Sequence, residues 1–399
     1  MIKTANRIAN VEEYYFSRKL AEVRGLDTPA HPVINLGIGS PDLAPAASAI
    51  EALSATARKA NSHGYQNYKG IPALRQGVQT FYRNTYGVNL NAETEILPLM
   101  GSKEGIMHIA MAFVNEGEEV LIPDPGYPTY SSVAKLVGAK VRTYKLQESL
   151  DWGIDIAALQ KSDLSKVKIM WVNFPHMPTG RVASKDELKA LVDLARKHNF
   201  LIVNDNPYSL ILNDNPQSIL AVAGAEEVAL ELNSLSKSHN MAGWRIGWVA
   251  GNKDLIDAVL RVKSNMDSGM FLGLQQAAVE ALKSEAVWFT ELNAVYKKRR
   301  MVARQILNVL GCSYSEKQSG LFVWAKAPGE VADVEKWIDE VLYATHVFIT
   351  PGFIFGEGGA RYIRISLCAT EEKLQEALVR IQKFVAEKSI VTNLTSQVK

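Results

Sequence analysis

The 399-residue chain carries 44 lysines and arginines against 42 acidic residues, and it shows no basic block that would track a nucleic-acid backbone. A content of 47% hydrophobic and 22% charged residues is that of a globular protein with an ample core, and the length favours one large and one smaller domain. Only Cys312 and Cys368 are present, in no metal-ligand spacing, and no apolar run approaches the roughly 18 residues of a membrane span. A disulfide scaffold, a metal centre and a membrane protein are thereby disfavoured, and the expectation is a reduced, cytoplasmic protein.

In chain order, Val11 to Arg24 has helix-forming composition but precedes any core signal, so it reads as an arm packing on another element. Pro32 to Pro41 is a short apolar strand breaking into Gly37 and Gly39, where backbone can approach a ligand closely or simply turn. Ile50 to Ala60 and Ile71 to Tyr86 read as helices around a loop that carries Tyr65 and Tyr68. Leu97 to Gly105 switches from strand to helix, and Gly101, Ser102 and Lys103 at the switch form a natural anion cradle that is not a P-loop. Glu119 to Ile122 is a strand ending in a proline-stiffened loop with Tyr127, which is suited to stacking on a flat ring or to rim packing.

From Lys166 the rhythm is strand, helix, strand. Val167 to Phe174 ends at Pro175-His176-Met177-Pro178-Thr179-Gly180, and Ser184 with Glu187 forms a capping box opening a helix to about His198. Phe200 to Val203 is a doubly buried strand that ends on Asp205 and Tyr208. Such alternation predicts a parallel sheet wound with helices, with ligands gathering at the carboxyl ends of the strands. Beyond Trp288 to Leu310, a long helix, come strand Leu321 to Ala325, helix Val331 to Thr345, strands Val347 to Thr350 and Tyr362 to Leu367, and a last helix after Thr370. Pro351 to Gly359 reads as a lid or a hairpin loop. Arg364, mid-strand among apolar neighbours, requires either a bound carboxylate or an internal ion pair.

The stretch Asn233 to Gly247 organises the chain. A buried strand delivers Ser234, Ser236 and Lys237, and Arg245 follows eight residues after the lysine. Desolvation lowers the cost of a neutral lysine, which attacks aldehydes, and hydroxyls with a fixed cation suit a phosphate; pyridoxal phosphate is the best-known partner for that chemistry, and a solvated lysine in a Ser-rich turn is the alternative. Lys237, Asp205, Met177, Tyr127 and Ser102 all fall at strand ends, where one ligand can meet them.

Ser234-Leu235-Ser236-Lys237 with Gly243-Trp244-Arg245-Ile246-Gly247, Pro178-Thr179-Gly180, Asp205 with Tyr208, and Arg364-Ile365-Ser366 together resemble the class I/II pyridoxal-phosphate-dependent aminotransferases of fold type I, from about Asn35 to Phe384. Gly101 to Gly105, Asp124 to Pro128 and Lys263 to Gly269 are similar to the branches acting on LL-diaminopimelate, alanine, or aspartate and aromatic amino acids. The resemblance implies an α/β fold: a large domain over 46–290 with a mainly parallel sheet of seven-stranded type, a small α+β domain over 291–399, and an arm over 1–45 shared with the small domain and a dimer. It implies Lys237 as the covalent anchor and proton carrier, Asp205 on the ring nitrogen, Tyr208 on the phenolic oxygen and Tyr127 stacked on the ring. It places the phosphate against Gly101, Ser102, Lys103, Ser234, Ser236 and Arg245, with Tyr65 from the other subunit of a homodimer. Arg364, helped by the Gly39 backbone, would hold the substrate carboxylate.

The pattern departs at Met177, where the family usually places an asparagine that bonds the phenolic oxygen. A thioether cannot donate, so the imine's pKa should rise unless another group, such as His176 turned inward, compensates. Transamination between an amino acid and a 2-oxo acid by a ping-pong mechanism is the leading expectation. A carbon-sulfur β-lyase and a cofactor-binding regulatory domain are the alternatives. Side-chain specificity falls to Val11–Leu26, Met270–Leu272 and Phe353–Gly359, which leave the donor open.

Overall fold

The computed structural model describes residues 2–9, 11 and 15–397, with side chains through Lys388. Its strands are β1 (Ile34–Asn35), β2 (Ile96–Leu99), β3 (Glu119–Asp124), β4 (Lys140–Gln147), β5 (Gly153–Ile154), β6 (Val167–Val172), β7 (Leu201–Asp205), β8 (Ala229–Ser234), β9 (Gly247–Gly251), β10 (Ser313–Tyr314), β11 (Phe322–Lys326), β12 (Val347–Phe348), β13 (Thr350–Pro351) and β14 (Tyr362–Ser366). The largest sheet has the order β2-β9-β8-β7-β6-β3-β4-β5. Its centre is parallel, from β4 through β3, β6 and β7 to β8, while β9 runs antiparallel between β8 and β2. The sheet is mainly parallel as expected, but it has eight strands. The two-residue β5, antiparallel to the end of β4, is an edge too short to leave an apolar signature in the sequence.

Parallel strands need crossovers, and the helices Ser102–Phe113, Pro128–Leu136 and Lys185–His198 supply them, burying β6, β7 and β8 on both faces. The Lys185–His198 helix starts as the sequence indicates, with Ser184 Oγ accepting the Glu187 N–H at 3.1 Å. The reciprocal half of the capping box does not form. Arg181 lies 2.7 Å from the Glu187 carboxylate and the Ile154 N–H donates to it, so β5 and the preceding loop take the side chain that would have returned to the cap.

A second, antiparallel sheet follows the long helix Ala286–Val309, in the order β10-β11-β14-β13. The strand expected over Val347 to Thr350 is divided: β12 pairs in parallel with β1, and β13 joins β14. Leu36 and its neighbours are thereby tied to this part of the chain. The helix Tyr15–Leu26 packs there too, with Phe16 and Val23 against Leu342 and Phe348. One continuous apolar core joins the two regions, from Leu121, Met170 and Val172 to Phe322, Val323 and Ile363.

The sheet interior also holds a carboxyl group. Glu231, at mid-β8, is wholly buried and accepts from Tyr82 Oη at 3.0 Å, Asn204 Nδ2 at 3.0 Å, Ser218 Oγ at 2.9 Å and the Ile219 N–H at 3.1 Å. Burial pushes its carboxyl up while these donors pull it down. Glu231→Ala strands four donors in a dry core and should lower stability by about 3 kcal/mol or more, read from the urea midpoint. A loss under about 1 kcal/mol would mean that water replaces the carboxylate.

Candidate active site

The carboxyl ends of the central strands open onto one cleft of about 650 Å³, and the side chains the sequence singled out converge there. At the end of β2 the chain turns through Gly101 (φ +89°) into the helix Ser102–Phe113, so the free amides of its first turn point into the cleft. A Cβ at Gly101 would sit 2.1 Å from an Arg245 guanidinium nitrogen, so only glycine lets that cation approach the helix start. Arg245, itself at φ +56°, is held by its Nη1 donating to the Ala242 carbonyl at 2.9 Å. Ser234 ends β8, Ser236 follows, and both line the same wall. Hydroxyls, amides and a guanidinium therefore surround one anion-sized position.

Asp205 is the last residue of β7, flanked by β6 and β8, and is buried. Tyr130 donates to its Oδ2 at 2.9 Å, while Oδ1 has no hydrogen-bond partner. Burial pushes its carboxyl up to about 6 despite that bond and the Lys237 charge. Tyr130 is stacked on Trp171, with centroids 5.0 Å apart, so the donor is fixed. Asn173 braces the same corner, its Nδ2 donating to the Asp205 carbonyl at 2.5 Å and its Oδ1 accepting from the Met177 N–H at 2.8 Å.

Lys237 comes off β8 and donates to the Gly39 carbonyl at 2.5 Å. Desolvation lowers its pKa, favouring the nucleophilic amine. Gly39 is a close approach: a Cβ there would meet the Phe322 ring at 2.2 Å. Across the cleft, Arg364 on β14 donates to the Gly37 carbonyl at 2.7 Å, with its Nη1 3.2 Å from the Met177 sulfur. Its guanidinium carbon lies 3.9 Å from the Phe322 ring centroid and 4.6 Å from that of Phe355, so the cation is held between rings. Tyr208 packs edge-on to Phe322, and burial raises its pKa.

Gly39, Ser102, Lys103, Tyr127, Met177, Asp205, Tyr208, Ser234, Ser236, Lys237, Arg245 and Arg364 thus meet in one cleft, with Gly101 directly behind Arg245. Tyr65 does not join them: it is 92% exposed on the surface of the same chain. His176 does not turn inward. Its ring is buried against Thr179, Nδ1 to Oγ1 at 2.8 Å, and burial depresses its pKa to about 3. Of the loops expected to set specificity, the Tyr15–Leu26 helix and Phe355 border the cleft, whereas Met270 is packed in another core cluster. Sequence reasoning missed Asn173, Tyr130 and Phe322, and it had Phe355 only as part of the Phe353–Gly359 loop. The polar residue at the end of β6 and the second tyrosine three residues after Tyr127 were the available signals for the first two.

The residues present fit pyridoxal phosphate. The partnerless Asp205 Oδ1 suits a protonated ring nitrogen, Lys237 offers the amine, and the Gly101–Ser102 turn with Arg245 suits the phosphate. A wound, mainly parallel sheet with this acid at the end of β7 and this lysine just after the neighbouring β8 defines a fold type I pyridoxal-phosphate enzyme. Residues 31–381 match the model of the aminotransferase class I and II family, and the chain belongs to that family. It is 40% identical to an LL-diaminopimelate aminotransferase of Oleidesulfovibrio alaskensis, over 94% of this chain and 98% of that one. It is 38% identical to the LL-diaminopimelate aminotransferase of Dehalococcoides mccartyi, over 97% and 100%. Among solved structures, substrate-bound BacF from Bacillus subtilis superposes with a TM-score of 0.91 at 33% identity, covering 96% of this chain and 98% of that one. An aminotransferase from Staphylococcus aureus gives 0.87 at 30%, covering 96% and 99%.

Asp205 supplies a test in the cofactor-free protein. Its folded pKa of about 6 lies above the ordinary 3.8, so the folded state binds the proton more tightly and stability falls as pH rises from about 4 to about 6. The shift corresponds to about 3 kcal/mol lost above pH 6, which Asp205→Asn should recover. Denaturant midpoints of both proteins at pH 4.5 and 8 check it; a difference between them that does not change with pH would refute it.

Proposed function

We propose that this aminotransferase passes an amino group from an L-amino acid to a 2-oxo acid in two alternating half-reactions, with Lys237 as the proton carrier of both. The observation that carries this reading is that Lys237, which follows β8 of the large sheet, and Arg364, on β14 of the antiparallel sheet, line one cleft together with Asp205. Pyridoxal phosphate, when bound, supplies an electron sink conjugated to the substrate's α carbon. Arg364 holds the substrate carboxylate with both guanidinium nitrogens, and Phe322 and Phe355 fix the plane of that fork. With the carboxylate so held, Lys237 Nζ would be the group that takes the α-proton and returns it within the cofactor-bound substrate. Asp205 would keep the ring nitrogen of the bound cofactor protonated, since a buried carboxylate with a missing donor stabilises the cation it meets. Tyr208 would donate to the phenolic oxygen, and Tyr127 would cover the ring.

Tyr65 is 92% exposed and does not line the cleft of its own chain, so it is free of that site and suited to completing a neighbour's phosphate site in a homodimer with shared sites. The relatives' named activity places LL-diaminopimelate on the panel of donors to be assayed.

Two experiments test the reading. Borohydride treatment of the loaded protein should abolish its visible absorbance and leave a mass adduct on Lys237, and Lys237→Ala should lower the half-reaction rate by about a thousandfold or more. An adduct elsewhere, or a variant as fast as the parent, defeats the assignment. Met177 should leave the phenolic oxygen short of a donor. The visible band of the loaded protein is then expected to change with pH at a midpoint about one unit above that of Met177→Asn; equal midpoints would show that another group compensates.

A further inference from the structure

The cleft has a wall that the chemistry of amino transfer does not use. The helix Tyr15–Leu26 brings Phe16 and Leu20, four residues apart and so on one face, to the mouth of the cleft, beside Ile38 and Phe355. This roof is tied down: Phe16 packs with Val23 on Leu342 and Phe348, the Tyr15 ring meets Phe353 edge-on at 5.3 Å, and the Phe16 ring centroid lies 5.8 Å from the Arg364 guanidinium carbon. An amino acid held by its carboxylate on Arg364 and by its nitrogen near Lys237 has one substituent left, and among the described residues of this wall Phe16, Leu20, Ile38 and Phe355 are apolar, with Ser17 the polar member.

The charged residues of the cleft sharpen the point. Its cations are Lys103, Lys237, Arg245 and Arg364, and its carboxylate among the described residues is Asp205. Lys237, Arg245, Arg364 and Asp205 are committed to the cofactor and to the substrate's own carboxylate. Lys103 sits at the phosphate end, next to Ser102, with its ammonium 6.0 Å from the Tyr127 ring centroid. A distal carboxylate or ammonium on the substrate side chain would have to shed water against Phe16, Leu20 and Ile38.

We infer that the preferred amino donor carries a large apolar or aromatic side chain, seated against Phe16, Leu20, Ile38 and Phe355, and that Phe16 and Leu20 set this preference. The inference rests on the aminotransferase reading above. It departs from the substrate named for the relatives, whose side chain ends in a second charged amino-acid group.

The test uses the pyridoxal-phosphate-loaded protein. Isothermal calorimetry with 3-phenylpropionate and 4-methylpentanoate, against succinate and glutarate, reads binding without turnover; the apolar acids should bind at least about tenfold more tightly. Single-turnover loss of the visible band should likewise be at least about tenfold faster, as kcat/KM, with L-phenylalanine, L-leucine or L-methionine than with L-aspartate, L-glutamate or LL-diaminopimelate. Phe16→Ala should reduce the discrimination mainly through KM. Leu20→Arg, at a half-buried position that tolerates a longer side chain, should improve succinate binding by about tenfold and weaken 3-phenylpropionate. A loaded protein that turns over but prefers the acidic donors or LL-diaminopimelate, or whose preference neither variant moves, overturns this inference and leaves the aminotransferase reading standing. A protein that takes up no cofactor overturns both.

Discussion

The site depends on an acid buried with one donor too few. Asp205 and Glu231 lie on adjacent strands, β7 and β8, in the same dry interior. Glu231 is surrounded by donors from Tyr82, Asn204, Ser218 and the Ile219 amide. Asp205 has Tyr130 on one oxygen and no hydrogen-bond partner on the other, and burial pushes its pKa up to about 6. The first carboxylate stabilises the fold, whereas the second stores electrostatic free energy that a positively charged ligand group releases. Everything else in the cleft is arranged with respect to that position at the end of β7.

Topology explains why so many separated residues reach it. In a parallel sheet every crossover brings the chain back to start the next strand at the same edge, so all the carboxyl ends share the opposite edge. Gly101, Tyr127, Asn173, Asp205 and Ser234 belong to five strand ends within one such edge. The reversed β9 contributes from its start instead, which is how Arg245, just before Gly247, arrives on the same side. The antiparallel sheet adds Arg364 and Phe322 from paired strands β14 and β11, and β1 with the Leu36–Gly39 segment is attached to that half through β12. The cleft is thus closed by elements far apart in sequence and held rigidly by two ladders.

Met177 changes the character of the carboxylate end. Its sulfur lies 3.2 Å from Arg364 Nη1, the Gly37 carbonyl accepts from Nη2 at 2.7 Å, and the Phe322 and Phe355 ring centroids lie 3.9 and 4.6 Å from the guanidinium carbon. The soft thioether and the two rings stabilise the cation through polarisability and quadrupole, in addition to that backbone hydrogen bond. The same apolar company excludes water from the rest of the substrate, which is consistent with the apolar roof formed by Phe16 and Leu20.

The periodic and chemically unusual features were legible along the chain. Doubly buried runs marked β6, β7 and β8, Ser184 marked a helix start, and Lys237 between Ser236 and Arg245 marked a phosphate-and-amine socket, because these signals depend on residues close in sequence. Three kinds of feature were not. The edge strand β5 and the division of Val347–Thr350 between two sheets come from pairing partners that local composition does not name. Glu187 leaves its capping box for Arg181, a choice made by a neighbouring loop. Tyr130, Asn173 and Phe322 have no motif of their own and become site residues through where the folded backbone puts them. Local sequence chemistry therefore supplied the reactive lysine, the acid and the arginine, since each must be of one residue type to act at all. Tertiary packing decided their distances, their desolvation and the apolar wall beside them, since these depend on atoms brought together across hundreds of residues.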